Sequence, residues 1–402
     1  MSARPKLAVA TLIGCQAAIT MGLMVLVPIM PLFLRDLMGN GVSAAEATRW
    51  SSVALAAPGV GALLCAPFAG RWCERYGYRR TLLMSLSVFV ASMTAMALSG
   101  DVGTFIAGRL LQGASAVSVI VTAFISRVSD PSSRGRSLGL QESAVAAGAL
   151  VGPLLGGVLQ DFWSVRPLLL AVAACTGLAV LVFASNLREP TAPSSTAYIG
   201  TGGTRRTLFA DPGFRRLLIA GGLTQAGAFA LVNVFALFIE ARFAGITSLA
   251  SKIGFLHSLG WFATLVAGPF WGARNDRRNP TRQFVGTALA CAGALSLLPF
   301  ATELWQIGLL RIAQGACFAA LAQSVLLLCC RSAPTQIQAS VIATAKSAMV
   351  AGQFLGPLAV LVVLPFAGPA ATLWLTAAMF LCAALVVRTE PVMRFSSFSE
   401  SR

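Results

Sequence analysis

The sequence predicts an all-α, polytopic membrane protein with twelve transmembrane helices in two pseudo-symmetric bundles of six. Three observations support this fold class: the composition, a series of apolar runs and an internal repeat. Of the 402 residues, 56% are apolar and only 11% are charged, whereas a soluble domain carries about 25% charged residues. So few charges leave too little polar surface to cover a soluble globule of this size. The high apolar content also excludes a disordered chain.

The apolar runs define the predicted spans. A helix needs about 20 mainly apolar residues to cross the hydrocarbon. The first run is too long for a cleavable signal peptide and continues through Pro28 and Pro31 as a kinked span. Spans one to twelve are predicted at 8–34, 50–69, 82–99, 102–126, 138–160, 166–186, 215–239, 250–271, 284–300, 304–330, 338–362 and 367–387.

The basic residues predict the topology. The net charge is +16, and with the N terminus inside, 22 of the 30 basic residues fall in cytoplasmic segments, five on the opposite side and three within spans. By the positive-inside rule, both termini are expected in the cytoplasm, and we expect a multi-pass protein of the bacterial cytoplasmic (inner) membrane. The same distribution indicates lipid headgroups, not nucleic acid, as the partner of these charges.

A polar stretch divides the chain. Residues 188–213 are rich in Pro, Gly and Ser, which is typical of a flexible linker. We therefore predict an N-terminal six-helix bundle at 1–187, a cytoplasmic linker at 188–213 and a C-terminal six-helix bundle at 214–402.

The two halves repeat each other at a nearly constant offset. Because each half holds an even number of spans, the repeats run in the same direction through the bilayer. This arrangement predicts two bundles that rock about a central site. The matched residues are Gly70, Glu74 and Arg75 with Gly272, Asp276 and Arg277, and Arg109, Gln112 and Gly113 with Arg311, Gln314 and Gly315, at offset 202, and 142–154 with 346–358 at offset 204.

Three motifs resemble those of a known family. After span two stands Gly70-Arg-Trp-Cys-Glu74-Arg75-Tyr-Gly77-Tyr-Arg79-Arg80, which is similar to the G-x-x-x-D-R-x-G-R-[RK]-[RK] signature of the major facilitator superfamily, with Glu for Asp at 74 and Tyr for Arg at 78. Span four carries Arg109-Leu-Leu-Gln112-Gly113, similar to the family's second motif. Span five carries Gly148-Ala-Leu-Val-Gly152-Pro153-Leu-Leu-Gly156-Gly157, which resembles an element associated in the family with exporters. Over essentially its whole length, the chain resembles the twelve-helix drug:proton antiporters.

The resemblance implies a secondary active transporter that exports a small organic solute in exchange for protons, by alternating access. A proton-coupled uptake symporter on the same fold is the first alternative. A membrane-embedded enzyme is the second, but the chain has one His and no catalytic grouping, phosphate-binding glycine loop or metal-ligand spacing. We expect no cofactor and no metal.

The basic loop after span two is predicted to act as a gate. Glu74 lies at a helix end, where it is expected to face the positive N terminus of span eleven. The alternative is that the arginines only anchor the topology. The copy in the second half holds Asp276 but lacks the second glycine, so we interpret it as a degenerate gate. The predicted gating residues are Gly70, Glu74, Arg75, Gly77, Arg79, Arg80 and Asp276.

Charged residues within spans are candidates for proton coupling. A charge at a helix centre costs about 2.5–3.5 kcal/mol on insertion scales, so it persists where it faces a cavity or a partner. Arg109 is expected to serve proton coupling or structural pairing. Glu142 and Lys346 occupy matching positions in the repeat and carry opposite charges. We expect Glu142 to take up and release the proton, because an apolar site favours the neutral carboxyl group and a nearby cation favours the ionised form. The alternative is that these side chains only extend towards the cytoplasmic interface. His257 is interpreted as a coupling or a packing residue.

The remaining candidates concern packing and the substrate. Gly148, Gly152, Pro153, Gly156 and Gly157 form a close-packing face on span five, which Pro153 bends. The cavity-type spans one, four, seven and ten hold two arginines but no acid at mid-depth. We therefore expect an anionic, zwitterionic or polar substrate, such as a siderophore-like metabolite or a drug, and a monomeric protein. The predicted cavity residues are Gln16, Thr20, Gln225, Asn233, Arg311 and Gln323.

Overall fold

In the computed structural model, residues 3–25, 30–39, 44–160, 165–186, 211–243, 249–334 and 337–388 are described, and these contain helices but no strand. A 3₁₀ turn, Leu298–Phe300, follows α11. The helices are α1 Ala3–Val25, α2 Met30–Met38, α3 Ala44–Tyr76, α4 Tyr78–Ala97, α5 Val102–Ala114, α6 Val117–Val128, α7 Arg134–Gln160, α8 Val165–Asn186, α9 Pro212–Arg242, α10 Leu249–Arg277, α11 Pro280–Leu297, α12 Leu304–Ser332 and α13 Gln338–Val387.

Most predicted spans coincide with one helix each, and the exceptions have local causes. Span one corresponds to α1 and α2. Span four is divided into α5 and α6 beside Ala116, whose φ of 49° is not helical. Spans eleven and twelve form one run, α13, which is interrupted at Gly368 with φ 72° and ψ 171°. Its 50 residues have a summed helical length of about 75 Å, which is about two and a half times the thickness of the hydrocarbon and enough for two spans.

Length and apolarity identify the membrane-crossing helices. Among the described residues, eight helical segments are long and apolar enough to cross a bilayer, or nine when the bent helix α9 counts as one span. Large apolar side chains lie on their outer faces, and Phe366 is 89% exposed. Such exposure is favourable against lipid chains, although water would disfavour it.

The described helices group into two compact units. The first unit comprises Met1–Val128 and Ala147–Ser194, and the second comprises Ser129–Ala146 and Ser195–Arg402. The start of α7 thus belongs to the second unit, whereas the linker-based division assigned all of α7 to the first bundle. The linker itself is largely outside the described residues, so the predicted domain boundaries stay a prediction.

The repeat in the sequence is also a repeat in helix packing. In the first unit, Gly113 on α5 lies against the carbonyl of Pro58 on α3, where a side chain would collide with the backbone. In the second unit, Gly315 on α12 lies against the carbonyl of Gly260 on α10 in the same way. Both contacting positions are 202 residues apart, so each half uses the same glycine to bring two helices close together.

Candidate functional site

Glu142 and Lys346 form an ion pair within the second unit. Lys346 Nζ lies 3.4 Å from Glu142 Oε1, and the two side chains are 14% and 16% exposed. Each residue stands eight positions after the first residue of its helix, α7 or α13. The sequence matched these residues as repeat partners, and the structure places their charges in direct contact.

Asp276 caps the start of α7. Its Oδ1 accepts a hydrogen bond from the Gly135 N–H at 2.8 Å, and its Oδ2 accepts one from the Arg136 N–H at 2.9 Å. The first N–H groups of a helix have no partner within the helix and carry the positive end of its dipole. Asp276 therefore supplies both hydrogen bonds and a compensating charge. This contact forms although the second-half copy of the loop lacks the second glycine.

The loop after span two is a tight connection between α3 and α4. Gly70, Glu74 and Arg75 lie in α3, with Glu74 and Arg75 exposed in its last turn. Gly77 joins the helices with a φ of 88°, a conformation that glycine adopts without steric cost. Arg79 and the exposed Arg80 begin α4. The gating role of this loop stays a prediction.

Arg109 is buried in the first unit and donates two hydrogen bonds to described residues. The side chain is 3% exposed. Its Nε donates to the Ala54 carbonyl at 3.0 Å, and its Nη1 donates to Gln112 Oε1 at 2.6 Å. The first bond ties α5 to α3 and the second lies within α5, and the choice between proton coupling and structural pairing stays a prediction.

Arg311 occupies the equivalent position in the second unit but has different surroundings. It is 4% exposed, and its Nη1 donates to Gln314 Oε1 at 2.6 Å. Its Cζ lies 5.1 Å from the centre of the Phe235 ring, within the range of a cation–π contact. The ring of His257 stands 6.2 Å from the same Phe235 ring. Two predicted candidates, His257 and Arg311, are thus brought together around an aromatic side chain that the sequence did not single out.

The predicted cavity amides mostly bond to other parts of the protein. Gln16 donates to Thr20 Oγ1 at 3.0 Å along α1. Gln323 is fully buried, and its Nε2 donates to Gly268 O at 3.2 Å and Ala319 O at 2.7 Å, which joins α12 to α10. Asn233 lies in α9, but its side chain is outside the described residues. The substrate roles of all these residues stay predictions.

Gln225 has a partner that the sequence reasoning missed. Its Oε1 accepts a hydrogen bond from Gln353 Nε2 on α13 at 3.2 Å. A signal for Gln353 was present, because it lies in the repeated segment 346–358, where the first half has Ala149. A polar residue that replaces an apolar one between two copies of a packed helix indicates a side-chain partner.

Two of the span-five glycines lie close to the backbone of α1. A Cβ atom on Gly148 would lie 2.8 Å from both Ala17 O and Met21 N of α1. A Cβ atom on Gly152 would lie 2.9 Å from Met21 O. The surroundings of Pro153, Gly156 and Gly157 are outside the described residues. Within the part of the chain that the structure describes, no group of three or more His, Cys, Asp or Glu residues is placed to hold a metal ion.

Comparison with known families connects this architecture to a function. Residues 12–251 and 217–401 match the sequence profile of the Major Facilitator Superfamily. The chain belongs to the Major Facilitator Superfamily. It is therefore a multi-pass membrane transporter of a small-molecule substrate and not an enzyme, as the sequence predicted.

Two bacterial proteins are similar over most of the chain. The staphyloferrin B transporter of Staphylococcus aureus strain NCTC 8325 is 29% identical over 369 residues, which cover 90% of this chain and 88% of the relative. The multidrug resistance protein MdtG of Enterobacter lignolyticus strain SCF1 is 26% identical over 333 residues, which cover 82% of this chain and 79% of the relative.

Solved structures of the superfamily confirm the predicted fold class. The human organic anion transporter MFSD10 has a TM-score of 0.82 at 18% identity, covering 96% of this chain and all of the other. The E. coli fucose:proton symporter has a TM-score of 0.76 at 13% identity, and the match covers 96% of this chain and 98% of the symporter chain. At these identities the comparison establishes the superfamily fold alone, with twelve helices in two bundles.

Proposed function

We propose that the chain exports a small organic solute across the bacterial cytoplasmic membrane in exchange for protons, as a monomer with both termini in the cytoplasm. The observation that carries this proposal is the ion pair between Glu142 and Lys346. A carboxylate paired with an ammonium group is held by a Coulomb attraction that disappears when the carboxylate takes up a proton. Protonation of Glu142 thus releases Lys346, and deprotonation restores the pair.

The exposure of the pair suits a proton carrier. At 14% and 16% exposed, the two side chains are sheltered enough for the interaction to exceed that of a surface pair. They also remain accessible enough for proton exchange. We propose that opening and closing of this pair couples proton movement to the alternating access of the transport site.

The direction and the substrate class rest on further support. Relatives that share about a quarter of their residues with this chain are named as a staphyloferrin B transporter and as multidrug resistance proteins, and these names favour export of a polar metabolite or a drug. The buried Arg109 and Arg311 favour an anionic, zwitterionic or polar solute, because a lipophilic cation would be repelled by them.

The test uses everted membrane vesicles that contain the full-length protein and fluorescein as an anionic probe. Under respiration, we expect protonophore-sensitive accumulation of fluorescein, and we expect Glu142→Gln to reduce it by about tenfold or more, a loss typical of removing a proton-transfer group. Glu240→Gln, which neutralises an exposed carboxylate at the end of α9, is the matched control. Undiminished proton-driven transport by Glu142→Gln would remove Glu142 from the mechanism, and accumulation only in right-side-out vesicles would establish uptake.

A further inference from the structure

Arg311 is a buried cation whose hydrogen-bonding capacity is largely unused. Among the described residues, its one hydrogen bond runs from Nη1 to Gln314, and its buried Nε has no partner. No carboxylate in the described part of the chain forms an ion pair with it. Because an uncompensated buried charge is costly, a guanidinium kept in this position is expected to have a functional partner.

The repeat shows that this state is specific to the second unit. Arg109, the equivalent residue, bonds its glutamine in the same way but also donates from Nε to the Ala54 carbonyl. Position 54 corresponds to 256 at the offset of 202, and Arg311 makes no bond to that carbonyl. The second copy has thus kept the bond that orients the side chain and given up the bond that occupies Nε.

Two residues near Arg311 differ from their counterparts near Arg109, and both differences make the surroundings of Arg311 roomier or more polar. At the same offset, Leu55 is replaced by His257 and Pro58 by Gly260. A Cβ atom on Gly260 would lie 2.7 Å from Nη2 of Arg311 and 3.1 Å from its Cζ, so glycine makes the room that the guanidinium needs. The apolar Leu55 is replaced by a polar ring that can donate or accept a hydrogen bond.

One edge of the guanidinium is buried and includes an Nε that has no partner among the described residues. Gln314 Oε1 accepts the hydrogen bond from Nη1, and Cζ lies 5.1 Å from the centre of the Phe235 ring. The Nε–Nη2 edge remains, and two parallel N–H groups on such an edge match the two oxygens of a carboxylate. His257 is only partly buried beside this group.

We infer that Arg311, flanked by His257 and Phe235, binds a carboxylate group of the transported solute. This inference rests on the proposed function for the origin of the carboxylate, but binding itself needs no proton gradient. It assigns to the second unit an anion subsite built on a guanidinium whose Nε, unlike that of Arg109, has no partner among the described residues.

The test measures binding of two xanthene dyes to the purified full-length protein without a gradient. Fluorescein carries a free carboxylate, and rhodamine 6G is a cation whose carboxyl group is esterified. For Arg311→Gln we expect the Kd for fluorescein to rise by about tenfold or more, as for loss of a charged hydrogen-bonding partner, and the Kd for rhodamine 6G not to rise. Arg242→Gln, which removes an exposed cation at the end of α9, is expected to leave both affinities unchanged.

A second variant keeps the test independent of the charge removal. Gly260→Ala places a methyl group whose three nearest neighbours are all Arg311 atoms, at 2.7–3.6 Å, so it moves the guanidinium and keeps its charge. We expect it to weaken fluorescein binding selectively. Three results would each overturn the inference. The first is that the wild-type protein does not bind fluorescein. The second is that wild type, Arg311→Gln and Gly260→Ala bind it with equal affinity, and the third is that chloride displaces the dye at equal concentration.

The outcomes separate this inference from the proposed function. Carboxylate binding that depends on Arg311, without proton-driven transport in vesicles, would retain the subsite and reject the export mechanism. Proton-driven fluorescein transport that is undiminished in Arg311→Gln would retain export and reject the subsite.

Discussion

Lys346 lies 3.4 Å from Glu142, although the two residues are 204 positions apart and occupy the same place in two copies of one repeat. One copy has evolved an acid and the other a base at that place. Both lie within the second unit, so the attraction between them is a property of a single compact part of the molecule.

A double-mutant cycle is expected to show that Glu142 and Lys346 stabilise each other. Glu142→Gln and Lys346→Gln each leave one sheltered charge without its partner, and each is expected to cost about 1–3 kcal/mol in the free energy of unfolding. The double variant removes both charges and is expected to lose less than the sum. The measurement is the free energy of unfolding of the four proteins in detergent. Strictly additive effects would show that the two charges do not interact.

Removal of the cap at the start of α7 is expected to destabilise the second unit. Asp276→Ala removes two hydrogen bonds and a charge from a helix N terminus, which costs about 1–2 kcal/mol. Asp276→Asn retains one acceptor without the charge, so its loss is expected to be smaller. Thermal unfolding of the two variants separates the contribution of the hydrogen bonds from that of the charge. An Asp276→Ala protein as stable as the wild type would contradict the cap.

The contact between α7 and α1 is expected not to tolerate a methyl group. Gly148→Ala places a Cβ atom 2.8 Å from Ala17 O and Met21 N, and because these are backbone atoms the helices must separate, at a cost of about 1–3 kcal/mol. Gly177→Ala is the matched control, since nothing lies within 4 Å of a Cβ atom there. Melting temperatures of both variants test the difference. An equal response of the two variants would show that the contact is not tight.

The cap of α5 is expected to make stability depend on pH. Hydrogen bonds from the Thr104 side chain and then from its backbone N–H lower the pKa of Asp101 below its ordinary value of 3.8. A group whose pKa is lowered by folding contributes stability that is present above the ordinary pKa and is lost as the pH falls through the lower, folded value. The stability difference between the wild type and Asp101→Ala is therefore expected to be constant near neutrality, to begin to shrink as the pH approaches 3.8 and to shrink further below it. A difference that does not change on acidification would contradict this assignment.

Local patterns were sufficient for the spans and for the glycine contacts. Twelve apolar runs predicted where the helices lie, although several helices extend up to seven residues beyond the runs, and the repeated Gly113 and Gly315 mark the same helix contact in both units. Such features depend on hydrophobicity and side-chain size, which are properties of the individual residues. The break of span four at Ala116 and the run-on of spans eleven and twelve at Gly368 were not predicted, because single backbone torsions depend on the packing of neighbouring helices.

The sequence alone determined that this protein lies in a membrane, that its two halves are copies and that it belongs to a family of transporters, since composition, periodicity and motifs are properties of the linear chain. Only the tertiary structure decided which partner each buried charge meets. Arg109 and Arg311 are equivalent in the sequence, yet the Nε of Arg109 donates to the Ala54 carbonyl, whereas the Nε of Arg311 has no partner in the part of the chain that the structure describes. The energy of a charge in a low-dielectric interior depends on groups a few ångströms away, and these come from helices distant in the chain.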